Sequence, residues 1–131
     1  MFAPVAPDVS AWLAAYGAAW EAHDGAAAAA LFTEDATYEW GPFDEPLVGR
    51  AAIRERWGAA TEDQGTVRFA ARPIGSDGDR AFVRWQVSMH APDSARPVEL
   101  DGIFVLDFAP DGLCERLQEW WMTKPPSGAL T

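Results

Sequence analysis

Val98-Glu99-Leu100-Asp101-Gly102-Ile103-Phe104-Val105-Leu106-Asp107-Phe108, then Pro110-Asp111-Gly112, then Leu113 through Leu117-Gln118-Glu119-Trp120-Trp121 to Met122, is the stretch that decides the fold. Two long runs of β-forming residues flank a Pro-Asp-Gly turn signal, the pattern of paired antiparallel strands. Side chains on a strand alternate faces, so Leu117, Glu119 and Trp121 share one side and Gln118 and Trp120 the other. Working outward, Ala81 to His90 is a further strand. It has Val83, Trp85, Val87 and Met89 on one face and Arg84, Gln86, Ser88 and His90 on the other. Pro92-Asp93-Ser94 turns it into Val98–Phe108. Before it, Val67, Phe69 and Ala71 alternate, and Gly75-Ser76-Asp77-Gly78-Asp79 makes the connecting turn. The second half of the chain is thus a four-stranded antiparallel meander.

The first half reads as helices. Val9, Trp12, Leu13, Tyr16 and Trp20 recur at helical spacing over residues 9–22, behind Asp8 as N-cap. Asp24-Gly25 restarts the chain into an Ala-rich helix ending near Phe32, with Asp24 its cap. Ala36 to Trp40 alternates as a short strand, and Gly41 to Val48, with two prolines, is a loop. Gly49 opens a third helix whose Ile53 and Trp57 share a face. Lys124-Pro125-Pro126 ends regular structure, and a loose tail follows. Helices followed by an antiparallel meander make an α+β fold, a curved sheet wrapped around N-terminal helices as a cone. The 131 residues form a single domain, 1–131, with its core over about 8–122. Ile103, Val105 and Trp120 face the convex side, which predicts a homodimer through that face.

Composition narrows the function. With 49% hydrophobic residues the chain fills a core without metals or disulfides. Seven tryptophans exceed what such a core needs, so some rings are expected to line a cavity or an interface. A net charge of −10 argues against nucleic acid and anionic membrane surfaces as partners. Cys114 is the only cysteine, which excludes an intrachain disulfide and fits a cytoplasmic location. Met1 to Pro7 has neither a basic region nor an apolar signal core, and no run is long enough to span a bilayer. No cofactor is expected. There is no phosphate loop and no serine elbow, and neither His23 nor His90 has metal-ligand spacing with another donor.

On Ala19-Trp20 with Asp24, Leu31 to Ala36, Gly49 to Ile53, and Asp101-Gly102-Ile103 through Asp111-Gly112 to Glu119-Trp120-Trp121, the chain resembles the nuclear transport factor 2-like superfamily. These cone-shaped domains, cystatin-like in layout, include ketosteroid isomerases and SnoaL-like polyketide cyclases. The resemblance covers nearly all of residues 8–122 and implies the cone fold. It does not carry over the steroid isomerase machinery. Tyr16 matches that enzyme's tyrosine, but its base position is Trp40 here and its second donor position is Phe104. Trp accepts no proton and Phe donates no hydrogen bond. SnoaL-like cyclases use a pocket carboxylate as acid and base, and the similarity implies that role for Glu119.

Counting back from the turns sets Trp85 opposite Gly102 and Gly102 beside Glu119, a row across the concave face with a hollow at the glycine. Tyr16, Tyr38, Trp40, Phe104, Leu117 and Trp121 are expected to line the same cavity, with Trp12 and Trp57 at its rim. Three roles for Glu119 stay open. As acid and base it moves a proton beside a carbonyl, with Tyr16 donating to the enolate oxygen. As an ionised group among indoles it holds an amine. As a structural acid it satisfies Tyr16, Tyr38 or an indole N–H. The corresponding functions are a cofactor-independent isomerase, cyclase or lyase acting on an apolar carbonyl compound, and a non-catalytic binder of an apolar or cationic small molecule. His23 reads as a solvent-facing helix end, and His90 belongs to a polar row with Arg84, Gln86, Ser88 and Asp101. Cys114 is expected to point outward, and Asp101 to face away from Glu119.

Overall fold

The computed structural model describes residues 8–90 and 97–124. Helix α1 spans Val9–Glu21, and Asp8 caps it by accepting from the Ala11 N–H at 2.9 Å. Such a cap contributes about 1 kcal/mol. His23, half-buried and in the left-handed region at φ 54°, breaks the helix. Asp24 then caps α2, Gly25–Ala29, through the Ala27 N–H. This helix is shorter than the Ala-rich run predicts. Phe32 already belongs to the first strand, where the Leu31 carbonyl accepts from the Cys114 N–H, so sheet pairing overrides helix propensity.

Strand β1 spans Phe32–Glu39, longer than expected, and β2 is Leu47–Val48, a two-residue partner inside the predicted loop. Helix α3 is Arg50–Thr61, entered from Gly49 at φ 95°, a conformation that suits glycine. Strands β3 (Thr66–Asp77), β4 (Arg80–His90), β5 (Val98–Phe108) and β6 (Cys114–Thr123) follow. They pair consecutively and antiparallel, as the meander requires. The first connection is tighter than the predicted glycine-rich turn, since β3 continues through Ser76 to Asp77. The expected turn at 92–94, the reading of Met1 to Pro7 and the tail beyond Lys124 lie outside the described residues.

The sheet order is β2-β1-β6-β5-β4-β3, and β1 joins β6 in parallel, so the sheet is mixed rather than wholly antiparallel. Register shifts at Phe32/Thr37, Pro73/Gly75 and Asp107/Phe108 bend the strands where one side carries extra residues, three at the first and one at each of the others. Helix α1 lies against β3. Between helices and sheet runs one core, from Trp12, Leu13 and Tyr16 to Phe104, Leu106 and Leu117. Strand β5 shows the partition plainly. Gly102, Phe104, Leu106 and Phe108 are buried, while Asp101, Ile103, Val105 and Asp107 are only partly covered on the outward face.

One prediction fails on the last of these register shifts. Cys114 is fully buried, not outward, and its thiol donates to the Arg116 carbonyl at 3.3 Å. Asp107 pairs with Arg116 but Phe108 with Cys114, and the skipped residue reverses the parity counted from the turn. Burial pushes the Cys114 thiol well above its ordinary range, which removes a nucleophilic role.

Candidate active site

Glu119 sits on β6 facing inward, 4% exposed. Its neighbour across β5 is Phe104, not Gly102; Gly102 pairs with Trp121. The predicted row is therefore displaced by one side-chain repeat, two residues along β6. Trp85 does pair with Gly102, but it leaves no hollow there. A Cβ at position 102 would lie 2.7 Å from the Trp85 ring, so the indole lies over the glycine and fills the space a side chain would take. On the other flank, Tyr38 pairs with Leu117 and Glu39 with Gln118. Trp40 follows directly on the last paired residue, Glu39, and is partly buried.

Most of the aromatic residues expected around a cavity pack on one another instead. Trp12 stacks on Tyr16 at 5.1 Å and Trp85 on Phe104 at 5.1 Å, while Tyr16 meets Trp20, Trp57 and Phe69. Trp12 and Trp57, expected at a rim, are core residues, as is Leu117. Trp121, expected inside, is 47% exposed, and its indole donates to the Trp40 carbonyl at 3.2 Å. A surface hollow of about 770 Å³ has Trp40, Gly102, Glu119 and Trp121 in its wall, together with Asp44, Ile103 and the Arg84–Asp101 ion pair. The last is part of the outward polar row: Arg84 and Gln86 both donate to Asp101. His90 is exposed on that face. Asp101 faces away from Glu119, as the alternation predicts.

No hydrogen bond reaches the Glu119 carboxyl from any described residue. Burial alone lifts its pKa to about 8, so the group is mainly neutral at pH 7. The phenol oxygens of Tyr16 and Tyr38 lie 2.7 Å apart, and the Trp57 indole donates to Tyr16 at 3.2 Å. Two phenols carry two protons and their mutual bond uses one. One phenolic proton is therefore left over, whichever tyrosine holds it. Burial first and the Glu119 charge second push both phenols above their ordinary range, so they act as donors and not as bases. Sequence reasoning named Tyr16 by itself. It missed the pairing with Tyr38 and the Trp57 donor, because nothing in spacing shows that α1, β1 and α3 bring these groups together.

The model for the SnoaL-like domain matches residues 13–117. The chain belongs to the SnoaL-like domain family. No curated protein matches this SnoaL-like sequence. Among solved structures, SalBIII is similar, an epoxide hydrolase/cyclase-like enzyme with a role in pyran ring formation in the polyether salinomycin. It is 23% identical, with a TM-score of 0.72 over 86% of this chain and 89% of its own. A hypothetical protein of ketosteroid isomerase-like fold from Catenulispora acidiphila, solved in complex with trimethylamine, is 20% identical. Its TM-score is 0.72 over 88% of this chain and 86% of its own. Likeness at these identities establishes the fold, and the α+β cone stands on it.

Among the described residues of this SnoaL-like domain, no group of three or more His, Cys, Asp or Glu could hold a metal ion. No described helix is long and apolar enough to cross a membrane.

Proposed function

We propose that this SnoaL-like domain is a cofactor-independent enzyme of isomerase, cyclase or lyase type. It moves a proton on a small, largely apolar carbonyl compound, with Glu119 as acid and base. The observation that carries this reading is the Glu119 carboxyl itself: buried, without a hydrogen-bond partner among the described residues, and with its pKa raised to about 8. A group with that pKa works in both directions near neutral pH. Ionised Glu119 takes a proton from the carbon beside the carbonyl and becomes the neutral acid its surroundings favour. The same proton then returns to a second atom of the substrate. The spare phenolic proton of the Tyr16–Tyr38 pair donates to the enolate oxygen, a contribution of about 2–4 kcal/mol by comparison with other oxyanion donors.

The test is exchange of the α-protons of 2-tetralone in heavy water, followed by NMR. Wild-type protein accelerates exchange, with a rate that rises through an inflection near pH 8. Glu119→Gln slows it roughly 100-fold or more while leaving probe binding intact. Unchanged exchange in that variant removes the reading.

A second reading has one observation in its favour, the trimethylamine bound by the Catenulispora acidiphila protein. Ionised Glu119 beside Trp40 and Trp121 would hold an amine by charge and cation–π attraction in a non-catalytic binder. Ionising the carboxyl at pH 7 costs about 1.4 kcal/mol for each pH unit below its pKa, and binding would release its proton to the buffer. Calorimetry of amine binding in buffers of different ionisation enthalpy measures that proton. A homodimer through the outward sheet face belongs to either reading.

A further inference from the structure

The hollow beside Glu119 owes its position to a notch in the sheet. Strand β1 ends at Glu39, opposite Gln118, but β6 runs on to Thr123 with β5 as its remaining described neighbour. Beyond Trp40 the chain leaves the sheet, and Gly41, Pro42 and Asp44 form one side of the hollow. The Trp121 indole ties across the notch to the Trp40 carbonyl. On the other side the wall is made by the outward face of the sheet. Arg84, Ile103 and Trp120 stand there in one cross-strand row, with Asp101 and Met122 in the next.

As one chain makes it, this is a wall rather than a pocket. Trp120, Trp121 and Met122 are apolar and exposed, and Phe43, between Pro42 and Asp44, is 99% exposed. Apolar surface gathered at one place on a soluble domain marks a contact site. A ligand resting in the open hollow would also keep much of its own surface in water, whereas small-molecule sites bury most of theirs. Proton transfer at a buried carboxyl calls for keeping that water out.

Charge limits what can cover the face. The chain carries −10, so two copies repel over most of their surface. Around the hollow the charges are paired in place. Arg84 donates twice to Asp101, at 3.2 and 2.7 Å, and Arg80–Asp107 and Arg116–Glu39 are bound on the same face. Asp44 adds one exposed carboxylate, a small part of the whole surplus. A two-fold interface sets one patch against itself, which requires a patch of paired charges and apolar side chains rather than charge of one sign.

We propose that a second copy of this chain roofs the hollow, closing over Ile103, Trp120 and Met122, so that the ligand site beside Glu119 is complete only in the dimer. Each copy closes the other's site. Binding and dimerisation are then linked. A ligand that needs the roof stabilises the dimer, and reciprocally the dimer binds it more tightly than the monomer does. The inference rests on where the proposed function places the site, not on the proton chemistry.

The test uses 2-tetralone as the probe. Sedimentation velocity gives the dimer dissociation constant, which is expected to fall roughly tenfold at saturating probe. Titration followed by tryptophan fluorescence, at protein concentrations above and below that constant, is expected to show roughly tenfold weaker binding by the dilute monomer. Val105→Glu puts a charge on the outward face but outside the wall of the hollow. It is expected to give a monomer with unchanged circular dichroism and the weak affinity, although every residue around its own hollow is intact. The dilution series decides alone if that variant does not fold or stays dimeric. A wild-type protein monomeric at every concentration leaves the face to a different partner and overturns the inference. So does an affinity that is equal in dimer and monomer, or a dimer that does not bind the probe. If Glu119→Gln leaves proton exchange unchanged while affinity still follows dimerisation, the catalytic reading falls and this one stands. Exchange that depends on Glu119, with an affinity indifferent to dimerisation, does the reverse.

Discussion

Glu119 couples function to stability through one proton. In the unfolded chain its carboxyl titrates near 4.5, and in the folded protein near 8. Between those values the folded state keeps a proton that the unfolded state has released. Stability therefore falls by roughly 1.4 kcal/mol per pH unit as pH rises from about 4.5 to about 8, and the loss levels off above. Glu119→Gln has no such proton to lose. Urea unfolding at pH 5, 7 and 9 is expected to show the variant gaining on wild type as pH rises, by a few kcal/mol at pH 9. Subtracting the two proteins removes the general repulsion of an acidic chain. A constant difference across the range would mean that the carboxyl is solvated in the folded state. The inward placement of Glu119 was legible in the sequence because strand alternation needs only parity. Its lack of partners was not, because that depends on what every neighbouring strand and helix fails to supply.

Two glycines separate local from tertiary effects at the scale of the element. Gly102 lies in mid-β5, where a Cβ would come 2.5 Å from the Trp120 carbonyl oxygen and 2.7 Å from the Trp85 ring. One of those atoms is backbone and cannot swing aside. Gly102→Ala is expected to destabilise the protein by about 1–3 kcal/mol and to alter the tryptophan fluorescence as Trp85 is displaced. Gly58, in α3, has open space where its Cβ would be. Gly58→Ala is expected to stabilise by about 0.5–1 kcal/mol, through helix propensity and a less flexible unfolded chain. Thermal unfolding of both variants checks the pair, and a neutral Gly102→Ala would show that Trp85 does not rest on the glycine. The β4–β5 register was legible from the sequence, since Trp85 does face Gly102. The β5–β6 register was not. The bulge after Asp107 adds a residue to one strand, and neither composition nor the turn signal marks it.

The whole molecule carries a charge of −10, yet the outward face of the sheet is locally balanced by Arg80–Asp107, Arg84–Asp101 and Arg116–Glu39. Trp120, 44% exposed, and Met122, 77% exposed, lie among these pairs on the same outward parity. A second copy can approach this face without the repulsion the rest of the surface would impose. Light scattering coupled to gel filtration is expected to give twice the 14.3 kDa chain mass, and Trp120→Glu to return it to the monomer with its circular dichroism unchanged. A wild-type protein that stays monomeric at every concentration rules the dimer out.

Periodicity in the chain was enough to determine the α+β layout, the capping of α1 and α2 by Asp8 and Asp24, the meander, and the face on which Glu119 lies. Each follows from spacing between near neighbours. Only the folded structure decided that β1 runs parallel to β6, that Trp85 fills the space at Gly102, and that Tyr16 meets Tyr38. It also decided that the Trp40 and Trp85 indole N–H groups find no partner among the described residues. These are contacts between residues far apart in sequence, set by bulges and by close packing, and no local pattern encodes them.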